Sequence, residues 1–186
     1  RAPRVAAVQD ISGFGRCSMT VALPVLSAMG AQCCPLPTAY LSAHTAFPEL
    51  GKAAFLDLTR ELEQTQEHWA ALGVALDAVY SGFIGSAGQI AAIRRFYERF
   101  RGADTVVLCD PVMGDGGRPY RTYTPDMCRA MGELAALADV ITPNLTEAAL
   151  LLGEEYADAP GSETAARAWL ERLSRDGRRS VVLTGL

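Results

Sequence analysis

Short apolar runs alternate along this chain with longer stretches whose apolar positions recur every three or four residues. The runs are Arg4 to Val8, Ala31 to Pro37, Ala78 to Ser81, Val106 to Cys109, Asp139 to Thr142 and Ser180 to Leu183. Each is too short for a buried helix, most end in Gly, Pro or Asp, and together they predict strands buried on both faces. Between them the spacing predicts helices. The first starts at Ser18 as N-cap, carries Val21, Ala22, Val25, Leu26 and Met29 on the repeat with Pro24 as a kink, and stops at Gly30. Others run from Ala53 to Leu72, from Ser86 to Phe100, from Thr124 with Pro125 at the first helical position to Leu137, from Asn144-Leu145-Thr146-Glu147 to Gly153, and from Ser162 to Arg175. Ser86 followed by Gln89 has the form of a capping box. Thr38 to Gly51 and Glu154 to Gly161 read as loops. Strands alternating with helices in this way predict right-handed crossovers and an α/β fold, a mostly parallel sheet with helices on both faces. No repeat or linker interrupts the pattern, so residues 1–186 are expected to form a single domain.

Polar residues fall at the ends of these runs. Asp10, Ser81, Asp110, Asn144 and Thr184 each follow a predicted strand. In a parallel sheet such ends share one edge, where loops converge and helix N-termini present their N–H groups to ligands. The stretch from Val106 to Gly117 is the plainest case: four apolar residues, then Asp110-Pro111, then Gly114, Gly116 and Gly117. Asp110 and Glu147, with Asn144 nearby, suit a hard cation held directly or through water, and magnesium takes one or two carboxylates plus substrate phosphates. Simple turn formation by Asp-Pro, and helix initiation with Thr146 as cap and Glu147 favoured by the helix dipole, remain open for the same residues. There is no G-x-x-x-x-G-K-S/T sequence, and Gly13-Phe14-Gly15 has only two of the dinucleotide-binding glycines.

Composition narrows the partners. At 49% hydrophobic residues, net charge −4 and pI about 5.2, with no basic run, the chain suits a small-molecule ligand rather than a nucleic acid. No stretch approaches a membrane span and Arg1-Ala2-Pro3-Arg4 opens no signal peptide, so the protein reads as cytoplasmic. The five cysteines lack C-x-x-C spacing, so neither a disulfide framework nor a zinc site is suggested. Lys52 is the only lysine, and it sits at a loop-to-helix junction away from the inferred cleft, which disfavours Schiff-base chemistry.

Several stretches together carry a resemblance to a known family: Gln9 to Ser18, Pro37 to Thr45, Tyr80 to Ser86, Asp110-Pro111-Val112-Met113, Asn144-Leu145-Thr146-Glu147 and Val182-Leu183-Thr184-Gly185. They resemble the pyridoxal (pyridoxine, pyridoxamine) kinases of the ribokinase superfamily over essentially the whole chain. The resemblance implies a three-layer ribokinase-like fold and transfer of the ATP γ-phosphate, with magnesium, to the 5′-hydroxymethyl group of a B6 vitamer. It implies that Asp10, Ser12, His44, Thr45 and Phe83 surround the pyridine ring. Asp110, Asn144 and Glu147 would organise magnesium and phosphate, with Asp110 and Glu147 as the metal-site carboxylates, and Thr184-Gly185 would begin the nucleotide site. A homodimer is implied as well. Asp10 stands where many pyridoxal kinases have serine and the hydroxymethylpyrimidine kinases similarly have Asp, and Phe83 replaces a frequent tyrosine. Members similar to this chain continue to a Gly-x-Gly-Asp motif that carries the anion hole and the general base. No such motif occurs in residues 1–186, so the chain is expected to be the N-terminal two-thirds or so of the fold, with the C-terminal part missing, no catalytic base of its own and impaired transfer. The alternatives are a hydroxymethylpyrimidine kinase and a non-catalytic vitamer-binding fragment.

Overall fold

The computed structural model describes residues 1–44, 47, 52–156, 160–175 and 177–185. Thr45, one of the expected ring contacts, lies outside the described residues. The chain divides into two compact units, Arg1–Val106 and Val107–Leu186.

The first unit contains β1 (Arg4–Ser12), α1 (Met19–Ala28), β2 (Gln32–Leu41), β3 (Phe55–Asp57), α2 (Thr59–Ala71), β4 (Ala78–Ser81) and α3 (Ala87–Phe100). Its strands lie in the order β3-β2-β1-β4, with β2 and β4 parallel to β1 and β3 antiparallel to β2. Ala6, Ala7 and Val8 are wholly buried at the centre of this sheet. Neighbouring strand residues point to opposite faces. Tyr80 packs with Ala7 against Met19 and Ala22 of α1, whereas the hydroxyl of Ser81 lies 2.5 Å from that of Tyr97 on α3. Helices therefore cover both faces of the sheet. Along α3 the buried positions Gln89, Ile90, Ala92, Ile93, Phe96, Tyr97 and Phe100 form one stripe, and Trp69 of α2 meets Phe96 and Phe100 edge-on.

The second unit is built on β5 (Val106–Cys109), β6 (Gly114–Asp115), β7 (Arg118–Pro119), α4 (Pro125–Ala135), β8 (Val140–Ile141), α5 (Leu145–Leu152), α6 (Glu163–Ser174) and β9 (Ser180–Val181). Strands β5, β8 and β9 run parallel, while β6 and β7 form a small antiparallel hairpin. Arg179 ties two helix ends together, donating from Nε to Leu173 O at 2.6 Å and from Nη1 to Ala135 O at 2.7 Å, which satisfies carbonyls left open at helix C-termini. Among the described residues no helix is long and apolar enough to cross a membrane.

The pattern of strands and helices follows the sequence reading, and four local departures have physical causes. Residues expected to open α2 instead make β3: Phe55 to Asp57 pair with Ala39 to Leu41, and the helix begins only at Thr59, whose N–H is held by the Asp57 carboxylate at 2.8 Å. Tertiary pairing overrides weak helical periodicity here. Strands β1 and β2 run on to Ser12 and Leu41, past a register shift between Gln9 and Ile11, so Asp10 and Ser12 lie within β1 rather than beyond it. Ser18 has φ 47° and makes no side-chain cap, leaving α1 without the expected Ser N-cap bond. The β6–β7 hairpin has no apolar alternation to announce it and rests on glycine. A Cβ on Gly114 would lie 2.4 Å from the carbonyl oxygen of Arg118, so only glycine fits without backbone movement.

Candidate active site

Within the first unit the described members of the expected ring contacts, Asp10, Ser12, His44 and Phe83, stand on three adjoining segments. Asp10 and Ser12 are both buried near the end of β1, and the Ser12 hydroxyl donates to Asp10 Oδ2 at 3.0 Å. His44 follows β2; its backbone N–H donates to Phe14 O at 2.9 Å, and its Cβ would be 3.1 Å from a Cβ on Gly15, which has φ +124°. Phe14 and Phe47 meet at a centroid distance of 5.2 Å beside it. Phe83 is half-buried in the turn after β4, and its ring and that of Phe55 both approach the bare Cα of Gly85. Phe55 escaped the sequence reading because its place depended on β3. Gln9 also escaped it. Its side chain packs over Gly82, and among the described residues its buried Nε2 has no hydrogen-bond partner. Asp10 and Ser12 are thus in direct contact at the end of β1.

All five expected phosphate, metal and nucleotide residues come together in the second unit. Asn144 is the N-cap of α5 and forms a complete capping box. Its Oδ1 accepts the Glu147 N–H and Glu147 Oε2 accepts the Asn144 N–H, each at 2.9 Å. This replaces the expected cap, Thr146, whose hydroxyl instead accepts the Gly117 N–H at 2.9 Å. Glu147 reaches further: Oε1 accepts the Met113 N–H at 3.1 Å, while Asn144 Nδ2 donates to Gly114 O at 2.9 Å. The first turn of α5 thus fixes the loop that follows Asp110. Thr184 bridges to Asn144 and donates its N–H to Pro143 O at 2.9 Å; Gly185 follows with φ 74°, its Cα facing the Asn144 Cβ.

Electrostatics make this corner unusual. Burial pushes the Asp110 carboxyl up to about 6, against a lowering hydrogen bond from Thr142. Burial likewise pushes Glu147 up to about 7; the Asp110 charge adds to the rise, and the backbone N–H groups of Asn144, Met113 and Gly114 oppose it. Among the described residues, the groups acting on the pair are hydroxyl, N–H and carboxylate, with no cation among them. Tyr120 shares the same field, its phenol raised by burial and then by Glu147, Asp115 and Asp110. Two desolvated carboxylates sharing one corner suit a divalent cation, whose charge would relieve both. Among the described residues no group of three or more acidic, His or Cys side chains forms a fuller ligand set, and magnesium needs only one or two carboxylates beside phosphate.

The phosphomethylpyrimidine kinase family model matches residues 23–186. The chain is 32% identical to pyridoxal kinase PdxY of Deinococcus radiodurans, over 98% of its own length and 62% of that protein's. It superposes with a TM-score of 0.91 on a Bacteroides thetaiotaomicron protein crystallised with pyridoxal, at 43% identity over 99% of this chain and 63% of that one. The pyridoxal kinase of Lactobacillus plantarum gives a TM-score of 0.88 at 33% identity, over 100% of this chain and 65% of that one. The chain therefore spans less than two thirds of the length of these relatives. With a family model matching residues 23–186 and the same arrangement of strands and helices as these structures, the chain belongs to the phosphomethylpyrimidine kinase family and has its ribokinase-like α/β fold.

Proposed function

We propose that this chain carries the vitamer site and the magnesium–phosphate site of an ATP-dependent kinase that phosphorylates the 5′-hydroxymethyl group of pyridoxal, pyridoxine or pyridoxamine. The observation that carries the reading is the desolvated Asp110–Glu147 pair, in a chain that follows a pyridoxal-containing relative along 99% of its length. We take residues 1–186 as part of one ribokinase-like domain, and the working protein as a cytoplasmic homodimer, on the strength of the family resemblance.

In the reaction the vitamer hydroxyl attacks the γ-phosphorus, the bond from phosphorus to the bridging oxygen breaks, ADP leaves, and the hydroxyl proton passes to a general base. Magnesium, when bound, neutralises charge on the phosphate oxygens. Asp110 is the residue we assign to hold it directly. Both Glu147 oxygens already accept backbone N–H groups, which supports a contact through water for this side chain. Asn144, Thr184 and Gly185 line the approach of the nucleotide phosphates. Asp10, Ser12, His44, Thr45 and Phe83 surround the pyridine ring, with Phe83 against its face and the Ser12–Asp10 pair toward its polar substituents. We assign the general base to no residue of 1–186.

A second reading, phosphorylation of hydroxymethylpyrimidine, is favoured by Asp10 and by the family model itself. Titration of pyridoxal, pyridoxine, pyridoxamine and hydroxymethylpyrimidine, each with magnesium and ATP and followed by product detection, separates them. Preferential binding of a B6 vitamer is expected. Preference for the pyrimidine alcohol would transfer the assignment to the second reading.

A further inference from the structure

The turn that carries Phe83 has its backbone held from outside by two side chains that no role has yet absorbed. Thr38, wholly buried on β2, donates its hydroxyl to Phe83 O at 3.2 Å. Gln89, wholly buried on α3, accepts the Gly85 N–H at Oε1 at 2.9 Å and donates from Nε2 to Thr38 O at 2.7 Å. The turn is pinned a third time where Gly82 N–H donates to Val8 O at 3.1 Å. Gln89 was expected to close a capping box on Ser86, and it does not: its carboxamide spans from the turn to β2 while the Ser86 hydroxyl alone caps α3. A buried carboxamide and hydroxyl with partners on both sides fix geometry more strongly than an apolar filling of the same volume.

We propose that Thr38 and Gln89 are positioning residues for vitamer binding: they clamp the Gly82–Gly85 turn between β2 and α3, and thereby set where the Phe83 ring stands. The proposal rests on the reading of Phe83 as a contact to the vitamer ring. Neither residue touches the vitamer. Each acts through the backbone of the turn, so their loss loosens ring binding and leaves the nucleotide site alone.

The test uses Thr38→Val, nearly isosteric and lacking the donor, beside Thr38→Ser, which keeps it; Gln89→Met removes the second clamp with little change of shape. Amide hydrogen exchange at Gly85, read by NMR without ligand, is expected to quicken about tenfold in Thr38→Val and Gln89→Met while exchange in the central strands stays unchanged. The dissociation constant for pyridoxal is expected to rise about tenfold in both, with Thr38→Ser and magnesium–ATP binding staying within about twofold of wild type. A role confined to stability would lower the melting temperature and leave both readings in place. Unchanged Gly85 exchange overturns the clamp, and faster exchange with unchanged pyridoxal affinity overturns its positioning role. Failure of the wild-type chain to bind any B6 vitamer overturns the functional reading, and the exchange measurement then still decides the clamp.

Discussion

The two units fix their candidate site residues by opposite means. At the Phe83 turn of the first, neutral groups do the work: Thr38 and Gln89 hold it through hydroxyl and amide bonds. In the second, a carboxylate does it. Glu147 satisfies two backbone N–H groups, yet burial and the nearby Asp110 charge keep its proton affinity high. A neutral clamp orders a turn at every pH, whereas a charged one ties local order to proton and cation binding. A wall for an aromatic ring needs the first arrangement, and a seat for a metal–phosphate complex needs the second.

Breaking the charged side should have the largest effect. In a chain that also carries the family's general base, Asp110→Ala is expected to lower magnesium-dependent phosphorylation of pyridoxal by about 100-fold or more, since the group that faces developing phosphate charge is lost. Steady-state kinetics at varied magnesium checks this, and unchanged kinetics would remove Asp110 from the site.

Glu147→Ala leaves the Asn144 and Met113 N–H groups without their acceptor and is expected to destabilise the fold by about 2–4 kcal/mol. Thr38→Val, on the neutral side, is expected to cost only about 1 kcal/mol. Urea unfolding of the two variants compares them directly, and equal losses would dissolve the contrast.

Acidity sharpens it further. Asp110 and Glu147 are raised from 3.8 and 4.5 to about 6 and about 7. The folded state therefore holds more protons than the unfolded state across that window. Stability is expected to fall as pH rises from about 4 to about 7, by on the order of 3 kcal/mol for each carboxyl, and the fall is complete above the folded values. Asp110→Asn should flatten the slope, and added magnesium should stabilise more at pH 8 than at pH 5. A slope unchanged in Asp110→Asn would contradict the burial argument.

The smallest effect belongs to Gly85→Ala. Its new Cβ would meet Gln89 Oε1 at 3.5 Å and the Phe55 ring at 3.7 Å, ordinary contact distances, so a change under about 0.5 kcal/mol is expected by thermal unfolding.

Legibility in the sequence follows the range of the interactions involved. Runs such as Val106 to Cys109, and the Thr124-Pro125 and Ser162 caps, announce themselves because neighbouring residues determine them. Asp110 and Asn144 could be singled out because they follow strands, and Glu147 as a carboxylate beside Asn144, and the structure brings them together with Thr184. What escaped depends on distant partners. Strand β3 exists because Ala39 to Leu41 pair with it, and Gln89 turns from its own helix start toward β2 because Thr38 O is there to meet it. Glu147 could be read either as a helix-initiating residue or as a site residue. Its carboxylate caps α5 and lies in the Asp110 corner at once, a double use that spacing alone does not reveal.

The most direct test of the functional account is calorimetric titration of pyridoxal into this chain with magnesium and ATP, repeated with hydroxymethylpyrimidine. The account predicts saturable one-to-one binding of pyridoxal that is tighter than binding of the pyrimidine and is strengthened by magnesium–ATP. Tighter binding of the pyrimidine, or no binding of pyridoxal at all, would contradict it.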